Sequence, residues 1–282
     1  MKLFIRIIIK IFLILTIFCG CETTQEIKET EAVTLLKQGA GFFEKGQSDR
    51  AIDYFNKAIE LNPRLAEAYH ARGVVYDNKG QYDKAISDYN MVIELNPGDA
   101  KVYNNRGLAY KKKGQYDKAI SDYNKAIKIN SKDAMAYNNR GIAYDNKGQY
   151  DMAISDYNKA IEINPGDAKA YNNRGVAYKE KGQYDKAISD YSEAIELNPS
   201  YAEAHTNRGN AYAYKGQYDK ATSDYNKAIE LIPSYAEPYY NRGWVYIEEG
   251  QHDKACSDWK RACELGLMCE NYELAKGSGV CK

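Results

Sequence analysis

The sequence has little of the chemistry from which enzyme active sites are usually built. Its three histidines, His70, His205 and His252, share no spacing that would suit a metal site or an acid–base pair. No glycine-rich phosphate loop, nucleophile elbow or pair of carboxylates stands apart from the general pattern of the chain. We therefore expect no catalytic residue, no metal site and no cofactor, and we interpret the protein as not an enzyme.

There is also no excess of charge of one sign. Lys and Arg together number 39, and so do Asp and Glu, which leaves a formal net charge of zero. Proteins that bind nucleic acid typically carry a clear basic excess. We expect neither nucleic acid nor a small-molecule substrate among the partners of this chain.

No apolar run has the length of about 20 residues that a membrane-spanning helix needs. The longest candidate extends from Ile11 to Phe18 and follows the basic residues Lys2, Arg6 and Lys10. A basic start followed by a short apolar stretch is typical of a signal peptide, and we assign residues 1–20 to one.

The end of that segment resembles the lipobox of bacterial lipoproteins, because Gly20 directly precedes Cys21. The resemblance implies cleavage and lipidation at Cys21, and hence an exported protein anchored by lipid to a membrane of the bacterial cell envelope, on its periplasmic or surface side. Phe18 and Cys19 depart from the usual lipobox residues, and an ordinary secretory signal or an uncleaved anchor is the alternative. Residues 21–31 are polar and are interpreted as a tether, or alternatively as a helical extension of the first repeat described below.

The sequence is rich in repetition. The pattern G-Q-x-D-x-A recurs every 34 residues, beginning at Gly46, Gly80, Gly114, Gly148, Gly182, Gly216 and Gly250. A fixed period of this length indicates a solenoid, in which each unit buries its apolar face against its neighbours. We expect a single domain whose function lies in its surface.

One repeat, residues 66–99, can be interpreted as a pair of helices. Tyr69 and Tyr76 fall on one face of a first helix, which ends at Gly80, and the second helix cannot continue past Pro97. The predicted unit is a helical hairpin.

The repeat closely resembles the tetratricopeptide repeat. The residues that carry the resemblance are Tyr69, Gly73, Tyr76, Gly80, Tyr82, Ala85, Tyr89 and Pro97. It implies an all-α, right-handed α-solenoid of seven helix-turn-helix repeats over residues 32–269. The cysteines near the C-terminus lead us to interpret residues 270–282 as a cap. The repeats are residues 32–65, 66–99, 100–133, 134–167, 168–201, 202–235 and 236–269.

An arginine precedes the Gly73-type glycine in six repeats, where the family usually has an apolar residue. These are Arg72, Arg106, Arg140, Arg174, Arg208 and Arg242. An aspartate follows each of them 16 residues later, whereas the first repeat has Gln38 and lacks the acid at Tyr54. A partly buried guanidinium needs a carboxylate, so we predict an Arg–Asp pair between the two helices of each repeat. The alternative is a row of arginines that binds anionic ligands.

In this family the first helix of each repeat lines a concave groove, and here its outward positions are rich in asparagine. They are Asn105, Asn139, Asn173, Asn207 and Asn241 at one position of the repeat, with Asn104, Asn138 and Asn172 beside them. Because a carboxamide both donates and accepts, such a row can bind the backbone of an extended peptide. Alternatively, these amides only connect adjacent repeats or face water.

The same groove becomes aromatic toward its end. Tyr214, Tyr240 and Trp244 lie in the sixth and seventh repeats. Aromatic residues often dominate the binding energy of interfaces. We therefore predict the strongest contacts with a partner in these two repeats.

The remaining cysteines, Cys256, Cys263, Cys269 and Cys281, lie near the C-terminus. An exported chain meets an oxidising environment, which favours two disulfides. Cys256 and Cys263 lie roughly 10 Å apart along one helix, too far for a bond, which leaves two connectivities. A turn near Gly266 would suit the nested one, Cys263 with Cys269 and Cys256 with Cys281. Metal binding is the alternative, although the spacings match no common zinc motif.

Taken together, these features predict a scaffold or adaptor that binds an extended peptide segment or a partner helix in the groove. The alternatives are an envelope-associated enzyme, such as a hydrolase, with an unrecognised site, and a purely structural spacer.

Overall fold

The computed structural model describes residues 25–267, 269–277 and 281. The predicted signal peptide and the lipidation site at Cys21 lie outside the described residues. Within them, the secondary structure is entirely helices, turns and connections. The first helices of the seven repeats are α1 (25–44), α3 (Ala66–Asn78), α5 (Ala100–Lys112), α7 (Ala134–Asp145), α9 (Ala168–Glu180), α11 (Ala202–Tyr214) and α13 (Ala236–Glu248).

The second helices are α2 (Ser48–Leu61), α4 (Tyr82–Leu95), α6 (Tyr116–Ile129), α8 (Tyr150–Ile163), α10 (Tyr184–Leu197), α12 (Tyr218–Leu231) and α14 (His252–Glu264). A final helix, α15, covers Glu270–Gly277. Residues 25–31, the described part of the polar segment, are helical and continuous with α1, which corresponds to the helical extension of the first repeat. Across the described chain, no helix combines the length and the hydropathy that crossing a membrane requires.

Glycine ends the first helix of each repeat for a conformational reason. Gly182 has φ of 69°, a left-handed conformation that residues with a Cβ rarely adopt. Its N–H donates to the carbonyl of Lys179 at 2.8 Å, and the N–H of Gln183 donates to that of Tyr178 at 2.9 Å. This pair of bonds is a Schellman motif, which satisfies the last carbonyls of the helix and turns the chain toward α10.

A second glycine lets the two helices of a hairpin approach each other. A Cβ built on Gly175 would lie 2.6 Å from Cε1 of Tyr191, and the same contact recurs between Gly209 and Tyr225 at 2.7 Å. Tyr191 is fully buried with Ala187 and Ala211 in the core of these hairpins. The ring of the second helix therefore occupies the space that the missing side chain leaves.

The described part of the chain forms two compact units, which meet in the sequence between residues 131 and 132. The division falls at Ser131, a position where five other repeats have proline. In the first unit α2 to α6 each pack on the next helix, and in the second unit α7 to α15 do the same. The predicted all-α solenoid of helical hairpins is confirmed within each unit.

The last helix is joined to the final repeat by disulfides. Cys256 bonds to Cys281 with a Cα–Cα distance of 5.5 Å, and Cys263 bonds to Cys269 with one of 4.7 Å. This is the nested connectivity. Trp259 is buried against Ala275 and Cys281, so α15 and Cys281 cover the end of the seventh repeat.

Candidate functional site

The predicted Arg–Asp pairs are present in all six repeats that have the arginine. In the fifth repeat, Nε of Arg174 donates to Oδ2 of Asp190 at 2.8 Å and Nη2 donates to Oδ1 at 2.6 Å. The equivalent pairs are Arg72–Asp88, Arg106–Asp122, Arg140–Asp156, Arg208–Asp224 and Arg242–Asp258. The Asp190 side chain is only 7% exposed and that of Arg174 is 19% exposed. Because this bidentate pair is largely buried between the two helices of the repeat, it stabilises their packing, which is the structural role predicted for it.

The same arginine also contacts the preceding repeat. Nη1 of Arg174 donates to Oδ1 of Asn158 on α8 at 2.7 Å, and Nη1 of Arg208 donates to the hydroxyl of Ser192 on α10 at 3.0 Å. The guanidinium of Arg174 also lies 5.5 Å from the ring centroid of Tyr171. One arginine therefore connects three helices, which the sequence pattern alone did not indicate.

The asparagine row connects repeats in a second way. Nδ2 of Asn173 donates to Oδ1 of Asn138 at 3.1 Å, and Nδ2 of Asn207 donates to Oδ1 of Asn172 at 3.0 Å. Asn105 forms the equivalent bond to Nε2 of His70 at 2.9 Å. These bonds show the connecting role that we considered as the alternative.

The exposure of the asparagines varies from repeat to repeat. Asn104 and Asn172 are buried, whereas Asn138 and Asn139 are half-buried. Each inter-repeat bond uses one of the four hydrogen-bonding positions of its donor carboxamide. Contact of these amides with a peptide stays a prediction.

An open hollow is lined by residues of α9, α11, α12 and α13, in the fifth, sixth and seventh repeats. Its volume is about 410 Å³, and its aromatic residues are Tyr214, Tyr218, Tyr225 and Trp244. We call it the aromatic hollow; its remaining lining residues are Lys179, Asn210, Ala213, Glu237, Asn241, Val245 and Glu248.

Two aromatic side chains of the hollow are exposed yet held in place. Tyr214 is 68% exposed and stacks on Tyr184 at 5.3 Å between ring centroids, with an interplanar angle of 11°. Trp244 is 44% exposed and meets Trp259 edge-on at 5.4 Å. Held rings lose little conformational freedom when a partner binds, which favours their use as contact residues.

Tyr240, the third aromatic residue predicted for this region, is placed elsewhere. It packs on the cap cluster around Trp259, and its carbonyl accepts a hydrogen bond from Nε1 of Trp259 at 3.2 Å. The structure therefore brings Tyr214 and Trp244 to one hollow and separates Tyr240 from it.

Asn210 lines the hollow and was not predicted as a site residue. Its Oδ1 accepts hydrogen bonds from Tyr225 Oη and from Asn241 Nδ2, both at 2.8 Å. The equivalent residues Ile142 and Val176 are apolar and pack on the cores of their own repeats. The replacement of an apolar residue by asparagine at this one position was the signal that could have identified it.

Charged residues of the hollow were also missed. Glu237 accepts a hydrogen bond from the hydroxyl of Tyr235 at 2.9 Å, and Glu248 is exposed at the end of α13. The one lysine of the lining, Lys179, forms an ion pair with Glu180 at 3.0 Å, which offsets its charge. The hollow therefore presents net negative charge beside its aromatic rings.

A carboxylate with an unusual environment lies in the fourth repeat. Burial raises the pKa of Asp145 to about 6, and Glu180 adds to the rise while Lys179 opposes it. Asp145 Oδ1 is buried without a hydrogen-bond partner. For the residues that the structure describes, no group of three or more His, Cys, Asp or Glu side chains is placed to hold a metal ion.

The helical hairpins, their inter-repeat bonds and the open hollow define a helical-repeat binding protein. Tetratricopeptide repeat profiles match residues 100–133, 134–167, 168–201 and 202–235, residues 39–80 and 78–114, and residues 224–257. The chain belongs to the tetratricopeptide repeat family. Proteins of this family are in general non-enzymatic scaffolds that bind protein or peptide partners.

Several solved structures are similar to this chain. A tetratricopeptide repeat protein from Parabacteroides merdae is 22% identical with a TM-score of 0.71, and the match covers 87% of this chain and 97% of that one. YrrB, described as a TPR protein with an unusual peptide-binding site, is 27% identical with a TM-score of 0.53, covering 65% of this chain and 95% of that one. MamA is 32% identical with a TM-score of 0.55, covering 58% and 96%. A comparison with curated proteins found no match.

Proposed function

We propose that this protein is a scaffold of the bacterial cell envelope that binds a segment of a partner protein on the first-helix face of its second unit. The observation that carries the proposal is the aromatic hollow, where Tyr214 and Trp244 remain exposed although each is held by contact with another aromatic ring. Exposed, pre-organised aromatic residues are typical anchor points of protein interfaces. The peptide-binding site named for the similar protein YrrB supports a polypeptide as the ligand.

An extended segment suits this face better than a flat protein surface does. The half-buried asparagines Asn173, Asn207 and Asn241 follow one another from repeat to repeat toward the hollow. Their carboxamides have further donors and acceptors beyond the inter-repeat bond, and these suit a peptide backbone. Backbone contacts would then position the segment, and the hollow would take one of its side chains.

The partner test uses a groove variant that leaves the inter-repeat bonds intact. Tyr214→Ser removes an exposed ring, whereas alanine at the asparagines would also remove bonds that connect repeats. The control is Met152→Ser on α8, which removes a side chain of 47% exposure from a second helix. We expect crosslinked capture from intact envelopes to recover the same partner with the native protein and with Met152→Ser, and to lose it with Tyr214→Ser.

Other outcomes would contradict the proposal. Equal capture by all three forms would move the interface away from the hollow. Capture of nothing by any form would favour a structural spacer. Circular dichroism melting of each variant shows that a lost partner is not the result of unfolding.

We also propose export and lipid anchoring, which rest on the sequence around Gly20 and Cys21. Metabolic labelling with a palmitate analogue should label the native protein and not Cys21→Ala. Cys19→Ala is the matched control, because Cys19 would be removed with the signal peptide. Labelling that persists in Cys21→Ala would overturn the anchor.

A further inference from the structure

The chain contains its own example of a bound cation at the position of the repeat that forms the hollow. Between the second and third repeats, Nζ of Lys112 lies 2.8 Å from Oδ2 of Asp77 and 5.5 Å from the ring centroid of Tyr82. A carboxylate and an aromatic face on adjacent repeats therefore hold an ammonium group. Lys112 supplies that ammonium from α5.

The equivalent three positions in the sixth and seventh repeats line the aromatic hollow. Ala213 replaces the carboxylate, Tyr218 keeps the ring, and Glu248 stands where the lysine would be. The internal cation is therefore replaced by a carboxylate, and alanine leaves open space beside the ring. An external cation bound here would supply the positive charge that Lys112 supplies between the second and third repeats.

The rest of the lining favours a cation as well. Glu237 adds a second carboxylate, and Trp244 adds an exposed indole, the aromatic group that binds cations best. Lys179 is paired with Glu180 at 3.0 Å and so opposes a bound cation only weakly. An acidic side chain would meet the like charges of Glu237 and Glu248.

We propose that the aromatic hollow binds the basic side chain of a partner polypeptide, a lysine or an arginine. Its charged group lies against Tyr218 and Trp244, with Glu248 and Glu237 as counter-charges. Its aliphatic stem packs on Ala213 and Val245 on the hollow's lining. The inference rests on the proposed function of this face as a polypeptide-binding surface, and it names what that surface selects.

The test uses capped amino acids, which need no partner protein. N-acetyl-arginine amide and N-acetyl-lysine amide are titrated into the full chain, with N-acetyl-norleucine amide as the uncharged control of similar length. The chain has two tryptophans, so the indole N–H signals of Trp244 and Trp259 can be followed by NMR. We expect the basic probes to shift the Trp244 signal and to bind roughly tenfold more tightly than norleucine amide, with affinity falling as salt rises.

Variants identify the groups responsible. Glu248→Gln keeps the shape and removes the charge, and we expect arginine amide to bind roughly fivefold to tenfold more weakly. Glu248→Lys places an ammonium of the chain's own at the position equivalent to Lys112 and should abolish binding without unfolding the protein. Glu196→Gln, at an exposed position on α10, is the control and should leave binding unchanged.

The inference is overturned if norleucine amide binds as tightly as arginine amide, if neither basic probe shifts the Trp244 signal, or if Glu248→Gln binds like the native protein. These outcomes are separable from failure of the proposed function. Partner capture that still depends on Tyr214 would then leave the binding face in place with a different side chain in the hollow. Conversely, if arginine amide binds but partner capture does not depend on Tyr214, the cation site stands and the proposed polypeptide-binding face is wrong.

Discussion

At the scale of single residues, the most informative feature is an arginine at a position that is usually apolar. Arg174 satisfies the carboxylate of Asp190 in its own repeat and the amide of Asn158 in the preceding one. The first part could be predicted from the sequence, because arginine and aspartate occur together in six repeats and are absent together from the first. The second part could not, because it depends on the distance between neighbouring repeats.

Removing Asp190 should destabilise the second unit. Asp190→Ala leaves the Arg174 guanidinium without its carboxylate in a largely covered site, and we expect a loss of about 3 kcal/mol in the free energy of unfolding. The measurement is urea denaturation of Asp190→Ala, Arg174→Met and the double variant. Since each single change leaves a partner unsatisfied, the double variant should lose less than the two single variants combined. Additive losses would mean that the two side chains do not depend on each other.

The carboxyl of Asp145 should make stability depend on pH. Its pKa is raised by burial to about 6 from an ordinary value of 3.8, so the folded state holds its proton more tightly than the unfolded state does. Between about pH 4 and pH 6 the folded state binds more protons, and stability therefore falls as pH rises through this window. The formal penalty above pH 6 is about 3 kcal/mol, which partial exposure reduces to roughly 1 kcal/mol.

The matching variant is Asp145→Asn, which we expect to be more stable than the native protein at pH 7 and equal to it at pH 4. Asp77→Asn is the control, because Asp77 at the same position has Lys112 as a partner at 2.8 Å. It should be less stable at pH 7, since the change breaks an ion pair. The measurement is a denaturation curve of each protein at the two pH values. A loss of stability at pH 7 in Asp145→Asn would show that the buried Asp145 carboxylate does not destabilise the fold.

At the scale of the helical hairpin, the sequence was a good guide because each rule is local. The glycines that end the first helices and the proline after the second helix follow from conformational limits of one residue, and the small residues at the helix contact follow from packing within one hairpin. Packing between repeats is different. The connecting bond from Asn207 to Asn172 and the placement of Tyr240 in the cap cluster depend on residues about 20 to 35 positions apart.

Two glycines of α1 allow a direct test of the helix contact. A Cβ on Gly39 would lie 2.5 Å from Cε1 of Phe55 on α2, whereas a Cβ on Gly41 would meet nothing within 4 Å. We expect Gly39→Ala to lower the free energy of unfolding by about 2 kcal/mol through overpacking. Gly41→Ala should raise it by about 0.5 to 1 kcal/mol, because alanine is the better helix former. Thermal melting of both variants is the measurement, and effects of the same sign would show that Phe55 simply moves away.

At the scale of the whole molecule, the period predicted the class of fold and the family, and two of the aromatic residues predicted for the sixth and seventh repeats, Tyr214 and Trp244, line the hollow. Asn210, Ala213 and Glu248 were not predicted, because each looks like ordinary variation in the sequence. Only their meeting in space gives them a common role. In the function proposed above, such departures from the repeat, more than the repeat itself, carry the specificity.

The end of the array is such a departure, and it should control how the second unit unfolds. Units in repeat proteins are stabilised by their neighbours, so the last repeat depends on the cap formed by α15 and Cys281. The Cys256–Cys281 bond spans 25 positions and the Cys263–Cys269 bond spans 6. Chain entropy then predicts stabilisation of about 3.5 kcal/mol for the longer loop and about 2 kcal/mol for the shorter.

Replacing Cys256 and Cys281 with serine should therefore cost more stability than replacing Cys263 and Cys269. In the first variant residue 281 is no longer bonded to α14, and Trp259, which packs against Cys281, loses part of its cover, whereas the Cys263–Cys269 bond remains. Hydrogen exchange should show early loss of protection in α14 and α13, ahead of α9 and α10, because opening proceeds from the uncovered end. The matched control is the native protein with and without reductant. Two outcomes would contradict a stabilising role of the cap. One is an equal loss of unfolding free energy in the two serine variants, and the other is hydrogen exchange that rises evenly along the second unit.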